Sequence, residues 1–135
     1  HNLKGFMIRA GRVIILAVAA AALALAIAGV GVVASAPAPN RAAQALSELP
    51  PGLIEAGPGH DGLSLETAIV IHASNETDGV GLEYLWLAAT YPDDSLELQS
   101  LVMDGGRAYD VMELLSPDGG RRTVYFDITA FFGVW

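Results

Sequence analysis

The chain contains no cysteine in its 135 residues. That removes disulfide cross-links, thiolate–zinc sites, a cysteine nucleophile and the acylated cysteine of a bacterial lipoprotein. It does not assign a compartment, because oxidising compartments permit disulfides without requiring them. Basic residues are scarce as well. Lys4, Arg9 and Arg12 precede an apolar run, and only Arg41, Arg107, Arg121 and Arg122 follow it, whereas all fifteen acids lie from Glu48 onward. Four arginines against fifteen acids leave that portion with a formal charge of −11. Such a field repels phosphate backbones and anionic head groups, so nucleic-acid binding and adsorption to a lipid surface are both disfavoured. A basic partner, a divalent cation or plain solubility is compatible with it. Phosphate loops and nucleophile elbows are missing too. Gly105-Gly106 and Gly119-Gly120 do not open helices and read as hairpin turns, and Ser64 lacks the glycine frame of an elbow and reads as the cap of a short turn.

What the sequence does have is an uninterrupted apolar run. Val13 to Val33 is 21 residues without a polar side chain, long enough to span a bilayer at about 20 residues per crossing. Met7 to Arg12 reads as an initiator and basic n-region, with residues 1–6 a start-site artefact. Two readings of segment 13–34 stand side by side. A cleaved signal peptide would end at the small residues Ala34-Ser35-Ala36, although Pro37 obstructs a cut after Ala36. An uncleaved anchor is favoured by the length of the run and by that proline. Arg9 and Arg12 hold the N-terminus inside in either case, so the acidic portion is expected outside the cytoplasm, periplasmic or anchored to the inner membrane.

Residues 35–60 are rich in Pro, Gly and Ala and read as a linker, with a short helix over Arg41 to Leu49 ending at Pro50. Residues 61–135 read as one small domain. Ala68 to Ala73 is a β-branched strand. Thr77 or Asp78 is expected to cap a helix running to Tyr91, where Pro92 stops it, with Leu82, Leu85, Trp86 and Ala89 as its apolar face. Leu96–Met103, Arg107–Leu115 and Arg121–Ile128 form a meander. The expected fold class is α+β, in the order β-α-β-β-β: an antiparallel meander sheet, the first strand at its edge and one helix packed on one face. An N-terminal transmembrane or signal helix precedes it.

Two-residue and symmetric hairpins at Gly105-Gly106 and Asp118-Gly119 set the registers. They place Val102 opposite Tyr109, Val111 opposite Phe126 and Asp110 opposite Asp127. On those registers Leu96, Leu98, Val102, Tyr109, Val111, Leu115, Val124, Phe126 and Ile128 face the helix. Leu101, Met103, Met112, Leu114 and Tyr125 face away, and a sheet face that apolar is a candidate interaction face. Asp110 and Asp127 are the candidate chemistry: facing carboxylates raise one pKa for acid–base work or hold a cation such as Ca²⁺. The bland alternative is that each accepts a backbone or Arg hydrogen bond. His60 beside Asp61 is a weaker candidate base or ligand, and His72 at a strand end reads as structural. Tyr84, Trp86 and Tyr91 read as core packing before ligand groove. No cofactor is implied.

Several stretches recur together: Gly62-Leu63-Ser64-Leu65-Glu66-Thr67-Ala68-Ile69-Val70-Ile71, Gly79-Val80-Gly81-Leu82-Glu83-Tyr84-Leu85-Trp86-Leu87, Gln99-Ser100-Leu101, Gly106-Arg107-Ala108-Tyr109-Asp110-Val111, Pro117-Asp118-Gly119 and Thr123 to Gly133. In these the chain resembles an uncharacterised family of small exported bacterial domains. The resemblance covers the domain but neither leader nor linker, and it implies boundaries rather than catalytic residues. The functional expectation is a non-enzymatic protein-interaction module of the bacterial envelope. It would bind an envelope protein or itself, and the membrane through its N-terminal helix if uncleaved. The alternatives are a small ligand- or metal-binding domain or hydrolase using Asp110 and Asp127, and an acidic inhibitor or immunity-type protein.

Overall fold

The aromatic stretch Arg121–Asp127 forms an interior strand of a mixed sheet. The computed structural model describes residues 12–18 and 38–135. In chain order these form β1 (Arg12–Val18), α1 (Ala38–Ser47), β2 (Ile54–Glu55), β3 (Ile69–Ile71), α2 (Glu76–Thr90), β4 (Ser95–Asp104), β5 (Arg107–Leu115) and β6 (Arg121–Asp127). The strand order is β1-β4-β5-β6-β3-β2. The α+β class and the β4–β5–β6 meander match expectation. The sheet is not wholly antiparallel, however. β3 runs parallel to β6, with Ile69 opposite Phe126. A helical crossover returns the chain to the sheet in the direction it left, so β4 follows β3, and two hairpins later β6 does too.

Asn75 starts α2. Its side-chain oxygen accepts the Asp78 N–H at 2.9 Å, two or three residues before the Thr77 or Asp78 cap expected, and Glu76 and Asp78 place negative charge at the positive end of the helix. At the other end the Tyr91 N–H donates to the Leu87 carbonyl at 2.8 Å, and Pro92 prevents continuation. The buried stripe of α2 is Gly79, Glu83 and Leu87, spaced i, i+4, i+8. Gly79 is required there, because a β-carbon would overlap the ring of Phe131. Phe131 is fully buried and closes the core where the chain turns after β6, whereas Phe132 lies outside.

The second hairpin reverses the expected faces of two strands. Leu115 pairs with Arg121 and Met112 with Val124, so the loop is Ser116–Gly120, five residues rather than an even number. Ser116 holds it: its N–H donates to the Gly120 carbonyl at 2.8 Å, its own carbonyl accepts the Gly119 N–H at 2.9 Å, and Gly119 takes φ 94°. A slip of one residue moves every side chain of a strand to the opposite face. The first hairpin has the expected register, Asp104 with Arg107 and Val102 with Tyr109, so β4 and β5 were carried over together. Leu101, Met103, Met112 and Leu114 therefore pack in the core beneath α2 with Val124, Phe126 and Ile128, and they are not an exposed interaction face. Tyr125 alone of that set lies on the second face, in a cluster with Val102, Tyr109, Val111, Ala68 and Leu65. That face is not bare, because the loop leading into β3 covers part of it.

Residues 38–60 belong to the folded unit. α1 packs against α2 with Ala42 buried, and β2 adds to β3 with Ile54 opposite Ile71. The first residues of the apolar run are extended: β1 pairs antiparallel with the outer edge of β4, from Arg12 opposite Asp104 to Val18 opposite Gln99. Residues 19–37, which hold the rest of the run and the cleavage candidates at Ala34 to Ala36, lie outside the described residues. Among the described residues no helix is long and apolar enough to cross a membrane.

Candidate functional site

Asp110 and Asp127 are kept apart. Asp110 is opposite Phe126 and Asp127 opposite Tyr109, so consecutive positions on β5 send them to different sides of the sheet. Asp127 accepts hydrogen bonds from Arg107 Nε at 2.8 Å, the Thr129 N–H at 3.0 Å and the Thr129 hydroxyl at 2.6 Å. Burial pushes this carboxyl up, but the Thr129 donors and Arg107 outweigh it and hold Asp127 below its ordinary value. Thr129 Oγ1 in turn accepts the Ala108 N–H at 3.1 Å. Asp127 thus fastens the end of β6 to the start of β5, a structural task.

His60 does not pair with Asp61. Its Nδ1 is 3.0 Å from the Ala68 carbonyl oxygen, which only accepts, so Nδ1 carries the hydrogen there. Its Nε2 is 3.3 Å from Glu55, whose other oxygen is 3.1 Å from His72 Nε2. The two imidazoles bracket one carboxylate and tie β2 to β3 and the loop before it. Asp61 accepts instead from the Thr67 hydroxyl at 2.7 Å and the Leu63 N–H at 2.9 Å, and these bonds lower its pKa. Ser64 accepts the Thr67 N–H at 3.2 Å, the capping role expected of it. Among the described residues no group of three or more His, Asp or Glu is placed to hold a metal ion.

The helix aromatics pack as the core reading has it. Trp86 meets Phe126 edge-on at 5.8 Å and Tyr91 at 5.9 Å, and Arg122 lies 4.1 Å over the Tyr91 ring while bonding Asp94 at 2.7 Å. A shallow groove of about 240 Å³ runs between α1 and β2, lined by Leu46, Leu49, Pro50, Ile54 and one edge of Trp86.

The residue that sequence reasoning missed is Glu83. It is 0% exposed on the sheet-facing stripe of α2, and among the described residues neither carboxyl oxygen has a hydrogen-bond donor. Asp110, 7% exposed, reaches the same place from β5. Burial, and then the Asp110 charge, push the Glu83 carboxyl well above the ordinary glutamate range. Burial also raises Asp110, against hydrogen bonds from Glu83 and Gln99. Two ionised carboxylates cannot donate to each other, so an ionised Glu83 is left without a partner. A proton on Glu83 supplies the missing donor. One signal was available: Glu83 is the one charged residue between Gly79 and Tyr91, so a helix covered on two sides leaves it no route to water.

Compared with models of protein families, with curated proteins and with solved structures, the chain matches none.

Proposed function

We propose that this chain is a non-enzymatic protein-interaction module of the bacterial envelope, exported by its N-terminal apolar run and engaging a partner through the outer edge of β4. The observation that carries the reading is the strand Arg12–Val18 laid antiparallel along that edge. An edge strand that takes up an added strand offers main-chain hydrogen bonds to any extended segment, and alternate side-chain positions supply selectivity. The added strand is apolar with a basic residue opposite Asp104, which describes the partner segment: extended, apolar and basic at one end. The charge of −11 beyond the apolar run suits the same partner and gives the inhibitor or immunity form of the idea its motive.

The apolar run cannot lie in the membrane and along β4 at once. Export of the chain would withdraw β1 and open the edge. The resemblance of the domain to small exported bacterial domains points the same way. The rival reading, a metal site or hydrolase at Asp110 and Asp127, rested on facing carboxylates, and the register separates them.

The test uses the full chain in a bacterial host with a photo-crosslinking residue at Ser100 on β4. Expected are protease accessibility of the domain in spheroplasts and a discrete intermolecular crosslink. A domain protected inside the cytoplasm, or crosslinks confined to its own residues 12–18, would sink the proposal.

A further inference from the structure

We propose that Glu83 and Asp110 form a proton-binding site that locks α2 onto the sheet, one proton being shared between the two carboxyls in the docked state. This goes beyond the interaction reading and does not depend on it. The argument starts from satisfaction of polar groups. Glu83 is fully buried, it projects from the helix face that packs on the sheet, and among the described residues no donor reaches either of its oxygens. A buried carboxylate without a donor is among the least tolerable groups in a protein interior, and native structures remove it by pairing or by neutralisation. Among the described residues no basic side chain acts on Glu83. The titratable groups that do are Asp110 from β5 and Glu76 from its own helix, both acidic. The neighbouring Tyr84 is itself raised by burial and by the charges of Glu83 and Asp110. β4 contributes the polar side chain of Gln99, and the turn after β6 contributes the apolar ring of Phe131 against Gly79. Neutralisation by a proton is the route left.

The geometry also says where the proton sits. Asp110 has a second source of stabilisation, a hydrogen bond from Gln99. The Tyr84 hydroxyl donates to Gln99 Oε1 at 3.4 Å, which turns the amide N–H₂ of Gln99 toward Asp110. Asp110 therefore remains the ionised acceptor, and Glu83 carries the hydrogen and donates it. Release to solvent passes through Asp110, the member of the pair with some exposure, and leaves two adjacent carboxylates and no donor for Glu83. Gly79 and Leu87 flank Glu83 by one turn on each side, so repulsion at Glu83 acts at the centre of the helix–sheet contact, and α1, packed on α2, moves with it.

The proton is taken up on folding, because an unfolded glutamate is ionised above about pH 4.3. Stability from this site is complete below that value and is lost as pH rises toward the raised value in the folded protein. The test is thermal melting of the full chain between about pH 5 and about pH 9, beside Glu83→Gln, which keeps a donor toward Asp110 and cannot ionise. Wild type should lose about 5 °C or more across the range, and the variant should lose much less. The second measurement uses wild type alone: the side-chain carboxyl resonance of Glu83, assigned by its loss in Glu83→Gln or, if that variant fails to fold, in Glu83→Asp. A protonated resonance at neutral pH supports the lock. A carboxylate resonance at about pH 6, or equal pH slopes for wild type and Glu83→Gln, overturns it.

Discussion

The ring of Phe131 lies directly on the α-carbon of Gly79, in the space a β-carbon would need. Two opposing effects follow for Gly79→Ala. Alanine in place of glycine inside a helix gains about 1 kcal/mol, whereas overpacking a filled core costs typically 1–3 kcal/mol. Phe131 is fully buried and has no room to retreat, so overpacking wins. Urea denaturation should show a net loss of up to about 2 kcal/mol for Gly79→Ala. Phe131→Leu alone should also destabilise. The double variant should lose less than the sum of the two, since the smaller side chain makes room for the methyl group.

Acid sensitivity has its own site. Asp127 is held below its ordinary value, so its contribution is present above the unfolded aspartate pKa of about 3.9 and fades as pH falls through the lower folded value. That is opposite in sign to the Glu83 site. Asp127→Asn should flatten the acid limb of the stability profile and lower stability at neutral pH by about 1–3 kcal/mol. Thr129→Val should reproduce much of that loss, because it removes the donor to Asp127 and leaves the Ala108 N–H without its acceptor. Chemical denaturation from about pH 2 to about pH 7 reads both. A Thr129→Val protein as stable as wild type would count against the bridge.

The β5–β6 loop explains how far the sequence could be read. Strands β3 to β6, the α2 helix and the first hairpin were legible, because periodicity and Gly105-Gly106 specify them locally, whereas β1 and β2 were read as leader and linker. The faces of β4 and β5 were not, because they hang on whether the loop is the four residues Pro117–Gly120 or the five residues Ser116–Gly120, and Pro-Asp-Gly-Gly is compatible with both. Ser116 decides it through hydrogen bonds that join the loop's two ends. The hidden Glu83 has a separate cause: the helical periodicity aims Leu82, Leu85, Trp86 and Ala89 at the sheet, whereas the buried stripe is Gly79, Glu83 and Leu87. Gly119→Ala tests the loop. At φ 94° a side chain is strained, so a loss of about 1–2 kcal/mol is expected, against a gain of about 1 kcal/mol for Gly81→Ala inside α2, where a β-carbon meets nothing.

The domain boundary is a further point where composition misled. Prolines and glycines between residues 35 and 60 suggest a linker, yet α1 buries Ala42 against α2, Ile54 packs on the core and Glu55 is gripped by His60 and His72. A chain trimmed to begin at Gly62 therefore gives up a helix, a strand and the cover over Trp86. Compared with a chain beginning at Ala38, it should be less stable by on the order of 2 kcal/mol, about the worth of one buried aliphatic side chain. Trp135 is 91% exposed in the intact protein and would mask the signal, so Trp135→Phe is the background to use. In it, Trp86 fluorescence should shift to the red in the shorter chain while that of the longer one stays blue. Matching spectra and matching urea midpoints for the two lengths would restore residues 38–60 to the status of a tether.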